Sequence, residues 1–244
     1  MNVTGGSYTT EGTGSPVIYS TADITVSDAQ MESTASQGVV VEGQNSVTLN
    51  NVTLTASNVK KNSDKSQWYQ AVMIYQSMSG DADSGTSHFT MTGGSLTSKS
   101  GHVFHVTNTN AVITLENVEI SNEDSDNILL SVCDDGWDGA ENEATVNAST
   151  QVLSGAVLVG SNSTLTMNLT NGSSFEGYVD GKITNANGET VSTEAGTVSV
   201  TLDSSSTWTL TGDSYVTEFN GDAANVVSNG YTLYVNGTAL TGTK

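Results

Sequence analysis

The sequence predicts an all-β fold, a single right-handed parallel β-helix of about eight coils with roughly three short strands per coil. Two observations lead to this prediction. An apolar-Thr-apolar triplet recurs roughly every twenty residues or a multiple of that interval, which is the mark of a solenoid. The triplets are Ile24–Val26, Val47–Leu49, Phe89–Met91 and Ile113–Leu115. No segment has the apolar period of a helix, so folds that alternate strands with helices are not expected.

The repeats follow one another along the chain with interruptions. A first repeat starts at Val3, and the second, at about 24–46, carries no insertion. The third repeat carries two insertions, and the fifth carries one that is rich in acidic residues. The insertions are 58–70, 76–88 and 133–143. Beyond residue 144 the repeats shorten, and we expect them to complete a single domain that covers 1–244.

Stacked coils would place like residues in columns. Within a triplet the first and third residues point inward and the middle one points outward, because strand side chains alternate. The predicted inner columns are Ile24, Val47, Phe89 and Ile113; Val26, Leu49, Met91 and Leu115; Tyr8, Met31, Leu54, Leu96 and Ile120; and Val41, Val106 and Leu130. One coil alone cannot bury these side chains, so only the stack is stable.

The composition narrows the range of partners. The chain has 26 acidic and 6 basic residues among 244, and its formal net charge is −20. Nucleic-acid binding is not expected, because it needs a basic face. Membrane insertion is not expected either, since no apolar run of about eighteen residues is present. The single cysteine, Cys133, rules out an intramolecular disulfide.

Two insertions would leave the same corner of the stack and bring acidic residues together. Loops at one corner of a solenoid lie close in space, and calcium takes about six to eight oxygen ligands. The predicted metal ligands are Asp81, Asp83, Asp134, Asp135 and Asp138. Calcium is therefore the candidate cofactor. The alternative is a solvated acidic loop, and the sequence leaves both open.

Aromatic residues in the insertions are candidate carbohydrate-binding residues, because an exposed ring face can stack on a pyranose. The predicted ligand-binding residues are Trp68, Tyr69 and Trp137. The insertion that holds the first two would share a corner with Glu123, Asp124 and Asp126. For Trp68 and Tyr69, the alternative is that the two rings cover the core where the loop folds back. His102 and His105 are interpreted as surface histidines and Trp208 as a core residue.

The repeats resemble those of bacterial cell-surface proteins. The apolar-Thr-apolar triplets followed by Gly-Gly-Ser-Leu-Thr look like those of cell-surface right-handed β-helix proteins. The stretch Ser206–Ser214 resembles the Trp-Thr-x-x-Gly-Asp-Ser pattern in the passenger domains of adhesin-type autotransporters. Some extracellular clostridial β-helix proteins that bind acidic polysaccharide with calcium are also similar. The resemblance implies an extracellular or cell-surface location, and adhesion or glycan binding.

The predicted function is that of a non-catalytic adhesin-type β-helix that binds an extracellular glycan or another cell-surface ligand. One alternative is a structural stalk that self-associates end to end. Another is a polysaccharide-degrading enzyme, which the absence of arginine disfavours. Ice binding through outward threonines is disfavoured because the matching positions of the second strand are chemically mixed.

Overall fold

The computed structural model describes residues 1–61, 68–137 and 142–244. The described chain is all-β, apart from one short 3-10 helix at Ala223–Asn225. Long sheets of parallel strands dominate it, as predicted, and they are consistent with a β-solenoid. None of the described residues forms a helix that is long and apolar enough to cross a membrane.

The strands are short and are numbered along the chain. They are β1 (Asn2–Thr4), β2 (Ser7–Thr10), β3 (Ile18–Ser20), β4 (Ile24–Ser27), β5 (Gln30–Ser33), β6 (Val39–Glu42), β7 (Ser46–Ala56), β8 (Gln70–Tyr75), β9 (Thr86–Ser98), β10 (His102–Thr107), β11 (Thr109–Glu116), β12 (Glu119–Asn122), β13 (Ile128–Val132), β14 (Asn142–Ser149), β15 (Val152–Ser154), β16 (Ala156–Val159), β17 (Thr164–Thr170), β18 (Ser174–Gly177), β19 (Val179–Asp180), β20 (Lys182–Thr184), β21 (Thr190–Thr193), β22 (Thr197–Leu202), β23 (Thr207–Leu210), β24 (Ser214–Val216), β25 (Glu218–Asn220), β26 (Val226–Val227), β27 (Leu233–Val235) and β28 (Thr238–Ala239).

The chain visits three groups of paired strands in a repeating order. The first group runs β1-β4-β7-β9-β11-β14-β17-β22-β25. The second pairs β2 with β5, β5 with the later half of β7, that half with the later half of β9, and the latter with β12. The separate sheet β15-β18-β23-β26 follows it along the chain. The third runs β3-β6-β8-β10-β13-β16-β19, and β24-β27-β28 follows it along the chain. Only β20–β21 and β27–β28 pair in antiparallel fashion among the described strands.

Three of the four predicted columns have the predicted register. Ile24 pairs with Val47, Val47 with Phe89 and Phe89 with Ile113. The columns that start at Val26 and Tyr8 are also aligned as predicted. Tyr8 itself is 41% exposed, because among the described strands β2 pairs on one side only, with β5. Stacking thus fills one continuous core.

The fourth predicted column was wrong at Leu130. Leu130 pairs with Phe104, and the residue in register with Val106 is Val132. Phe104 follows Leu96 by eight residues, whereas Leu130 follows Ile120 by ten. The turn before β13 therefore holds two more residues than its counterpart. A shift of two residues keeps the same side chains inward, so the core pattern alone did not reveal it.

Candidate functional site

The predicted aromatic pair lies directly before β8. Trp68 is only 3% exposed, and its ring centroid lies 5.1 Å from that of His102 and 6.0 Å from that of His105. Its ring therefore covers the outer face of the third group of strands and is not open to solvent as a sugar platform. Tyr69 is half-buried and keeps part of its side chain accessible.

A glycine allows the loop to approach the sheet closely. Gly101 has a φ of 73°, and a Cβ atom there would lie 2.1 Å from the carbonyl oxygen of Tyr69. The backbone N–H of His102 donates to that same carbonyl oxygen at 2.8 Å. The amide of Asn58 donates to the carbonyl oxygen of Gln70 at 3.2 Å. These contacts fix Tyr69 beside the start of β10.

The aromatic pair and the predicted acidic corner line one pocket of about 130 Å³, called here the corner pocket. Its lining residues are Trp68, Tyr69, Gly101, His102, Asp124, Asp126, Ile128, Thr184, Asn185 and Ala186. The structure thus brings together Tyr69 and two of the three acids that were expected to share its corner. Asp124 accepts hydrogen bonds from the backbone of Gly101 at 2.7 Å and of Asp126 at 3.0 Å.

The remaining wall of the corner pocket is a hairpin that sequence reasoning missed. Strands β20 and β21 fold back over the third group, where Ile183 packs in one cluster with Trp68, Cys133 and Leu158. The ammonium of Lys61 donates to the side chain of Asn187 at the hairpin tip. The alternating residues around an Asn-Gly pair are a recognisable hairpin signal, and this signal could have located the insertion.

A buried chain of hydrogen bonds lies behind the pocket. The Nε2 atom of His105 lies 3.1 Å from a carboxylate oxygen of Asp135. The Oγ atom of Ser131 lies 2.7 Å from Nδ1 of His105 and 2.6 Å from Nδ1 of His102. His105, Ser131 and Asp135 have no exposed surface, and His102 is 6% exposed. Of these four residues, His102 is the one that lines the corner pocket.

When both imidazoles are neutral, one hydrogen pattern satisfies all these contacts. The Asp135 carboxylate can only accept, so His105 carries its proton on Nε2 and accepts at Nδ1 from the Ser131 hydroxyl. Ser131 then accepts from Nδ1–H of His102, which leaves an unprotonated Nε2 on His102 for a ligand. Burial, and secondarily the charge of nearby His105, lowers the pKa of His102 from 6.5 to about 3.

The interpretation of His102 and His105 as surface histidines was wrong. The alternation was read correctly, since Phe104 and Val106 lie in the core and His105 points away from it. The outward face is nevertheless covered, because Trp68 packs over both histidines. Periodicity distinguishes the two faces of a strand, but it does not show which outer positions a loop will cover.

The structure describes four of the five predicted calcium ligands, Asp81, Asp83, Asp134 and Asp135. Asp81 and Asp83 are exposed, and the carbonyl oxygen of Asp83 accepts from the backbone of Gln44 at 2.9 Å. Asp134 accepts from the backbone of Gly136, and Asp135 is buried against His105. Within the described ranges no three acids, histidines or cysteines form a group suited to a metal ion. Asp138 lies outside the described residues, and calcium binding stays a prediction.

Trp137 contributes to the packing of the same loop. It is half-buried, and its ring meets Tyr75 edge-on at a centroid distance of 5.0 Å. Nearby, Cys133 is fully buried, and burial, followed by the negative charges of Asp135 and Asp134, raises the pKa of its thiol well above the ordinary value. The thiol is therefore held in its unreactive protonated form. By contrast, Trp208 is buried in the core as predicted.

Comparison of the chain with protein-family models, with curated proteins and with solved structures finds no match in any of the three.

Proposed function

We propose that the chain is a non-catalytic, extracellular carbohydrate-binding β-helix of the bacterial surface, and that the corner pocket takes one sugar residue. The observation that supports this most is the position of the His102 imidazole beside Tyr69 and Asp126 in one small pocket. Its volume of about 130 Å³ leaves room for a single ring. Specific recognition of a small ligand requires a concave site with a small number of polar groups at fixed positions.

The chemistry of the pocket suits a ligand that carries several hydroxyl groups. Nδ1 of His102 is engaged by Ser131, so Nε2 is the atom available to accept from a ligand. Asp126 is exposed at the rim, and its carboxylate can accept a hydrogen bond from a second hydroxyl group. Hydrogen bonds to a charged acceptor are the stronger ones. The hydrogen-bond chain to Asp135 keeps the His102 ring in place without requiring a proton to move, which agrees with binding rather than catalysis.

A glycan array followed by calorimetry tests this proposal. Arrays read with and without calcium test the predicted cofactor at the same time. For a glycan that binds, Asp126→Asn and Tyr69→Ala should each weaken the affinity at least about fivefold, a change of about 1 kcal/mol. Tyr231→Ala removes an exposed tyrosine outside the pocket and serves as the control. Binding that both pocket variants leave unchanged would refute the corner pocket, and no binding on either array would refute the function.

The proposed function also assumes that the strands close into a β-helix. We infer that the three groups of strands form the sides of one right-handed parallel β-helix. Counting each pass of the described strands through the first group as one coil gives nine, compared with the predicted number of about eight.

A self-associating stalk is the second candidate, and the free edges of β1, β2 and β3 favour it. Among the described strands, β1, β2 and β3 each pair on one side only, and an unpaired edge is a template for another strand. Light scattering over a range of concentration and salt tests this candidate. A monomer under all conditions would exclude it, whereas mass that grows with salt would support it, because salt screens a net charge of −20.

A further inference from the structure

A second concave site lies at the other end of the β20–β21 hairpin. It is an open groove of about 560 Å³, called here the tyrosine groove. The base of the hairpin forms one side, through Asp180, Lys182 and Glu194, and the later strands supply Tyr215 and Tyr234. None of these residues lines the corner pocket, so the tyrosine groove is a separate site.

The two tyrosines form a stacked pair that the strand register dictates. Tyr215 of β24 pairs with Tyr234 of β27 in parallel, and parallel strands place paired residues about 4.8 Å apart. Their ring centroids lie 5.2 Å apart, with an angle of 7° between the planes. One face of each ring stacks on the other ring, so the partner tyrosine does not cover its opposite face. Tyr215 is 38% exposed.

Backbone contacts position the acidic side of the groove. A Cβ atom on Gly181 would lie 1.9 Å from the carbonyl carbon of Glu194, so glycine allows these two backbone segments to touch. One oxygen of Asp180 accepts from the backbone of Gly181 at 2.7 Å and of Lys182 at 3.3 Å. Within the described ranges, Lys182 makes no ion pair within 4.0 Å with either carboxylate. The groove therefore presents two carboxylates that its one lysine does not pair with.

We propose that the tyrosine groove binds an oligosaccharide that carries protonated amino groups. A partly exposed tyrosine ring such as that of Tyr215 can stack on a sugar ring and can also attract cations through its negative face. Asp180 and Glu194 supply negative charge for the ammonium groups. The net charge of −20 adds attraction for a cationic polymer over a longer range and repels polysaccharides that are themselves acidic.

Calorimetric titration of the whole chain with three oligosaccharides of equal length tests the proposal. The probes are a glucosamine oligomer, its N-acetylated form and a galacturonate oligomer, all at pH 6 and low salt. The expected order is tight binding of the amine form, at least about tenfold weaker binding of the acetylated form, and no binding of the acidic form. Raising the salt concentration should weaken binding of the amine form, because salt screens exposed charges.

Two variants locate the site. Tyr215→Ala should weaken binding of the glucosamine oligomer at least about tenfold, and Glu194→Gln about threefold to tenfold, while Tyr231→Ala should leave it unchanged. A lysine oligomer of equal charge is the competitor. The proposal is overturned if the acetylated form binds as tightly as the amine form, if the lysine oligomer binds as tightly as the sugar, or if Tyr215→Ala has no effect. Variants of Tyr69 and Asp126 should not change this binding, which separates it from the corner pocket.

Discussion

The Nε2 atom of His105 lies 3.1 Å from the carboxylate of Asp135, and neither side chain has any surface exposed to solvent. This contact joins the middle of β10 to the loop that follows β13. A buried pair of this kind is costly to break, because the partner that remains stays in a medium that solvates it poorly. The contact therefore holds the loop against the sheet.

We expect His105→Leu to lower the free energy of unfolding by about 3 kcal/mol. Urea unfolding of His105→Leu, Asp135→Asn and the double variant gives the interaction energy as a double-mutant cycle. The double variant should lose less than the sum of the two single losses. His88→Leu, which changes an exposed histidine on β9, is the control and should cost little. Strictly additive losses would mean that the two residues do not interact.

The pKa of His102 predicts a stability that depends on pH. The folded-state pKa is about 3 and the ordinary value is 6.5, so between these limits the unfolded chain binds more protons. The free energy of unfolding then rises with pH in this window and falls as the pH drops from about 6.5 towards 3. The contribution of His102 is a few kcal/mol at most.

Chemical denaturation at pH 7 and pH 4.5 measures this effect. The wild-type protein should lose stability on acidification, and His102→Asn should remove part of that loss. The comparison between the two proteins is the informative quantity, because other groups also titrate over this range and are common to both. An identical pH dependence in the two proteins would show that His102 keeps its ordinary pKa.

The tight contact at Gly101 gives a prediction with a matched control. Gly101→Ala should destabilise the chain by more than about 2 kcal/mol, because the new methyl group would meet the carbonyl oxygen of Tyr69 and the φ of 73° disfavours alanine. Gly93→Ala has a similar φ of 63° but meets nothing within 4 Å. It should cost only about 1 kcal/mol. Equal losses in thermal unfolding would mean that backbone strain alone, and not the contact with Tyr69, decides the effect.

The core of this fold could be predicted from the sequence, and much of its outer surface could not. Repeating triplets fix which residues point inward, and three of four predicted columns have the observed register. The fourth failed at Leu130, because a lengthened turn shifted the register without changing which residues are apolar. The stacked pair of Tyr215 and Tyr234 was missed, although a comparison of the last two repeats would have aligned them.

The corner pocket was predicted in part. The sequence placed Tyr69 near Asp124 and Asp126, because loops from one corner of a stack meet. It did not predict the burial of His102 and His105, because the alternation of residues in a strand does not indicate where a loop will cover its outer face. The β20–β21 hairpin was missed because its antiparallel pairing interrupts the repeat. A comparison of repeats does not detect an element that the other repeats lack.

The hairpin that joins the two proposed sites should open independently of the core. Ile183 is its buried anchor and lies in one apolar cluster with Trp68 and Leu158, outside the main core. Ile183→Ala removes apolar contacts from an element held by one short antiparallel pair, so local opening of the hairpin should become easier. Hydrogen exchange of amides in 182–193 should then speed up at least about tenfold, while exchange in β9 and β11 stays unchanged.

Phe89→Ala is the matched comparison for this experiment. Phe89 lies in the main core with no exposed surface, so its truncation should lower the global free energy of unfolding by about 3–5 kcal/mol. Exchange should accelerate in all three groups of strands, because each parallel strand loses support when its neighbours unfold. If Ile183→Ala accelerated exchange everywhere as Phe89→Ala does, the hairpin would be an integral part of the stack.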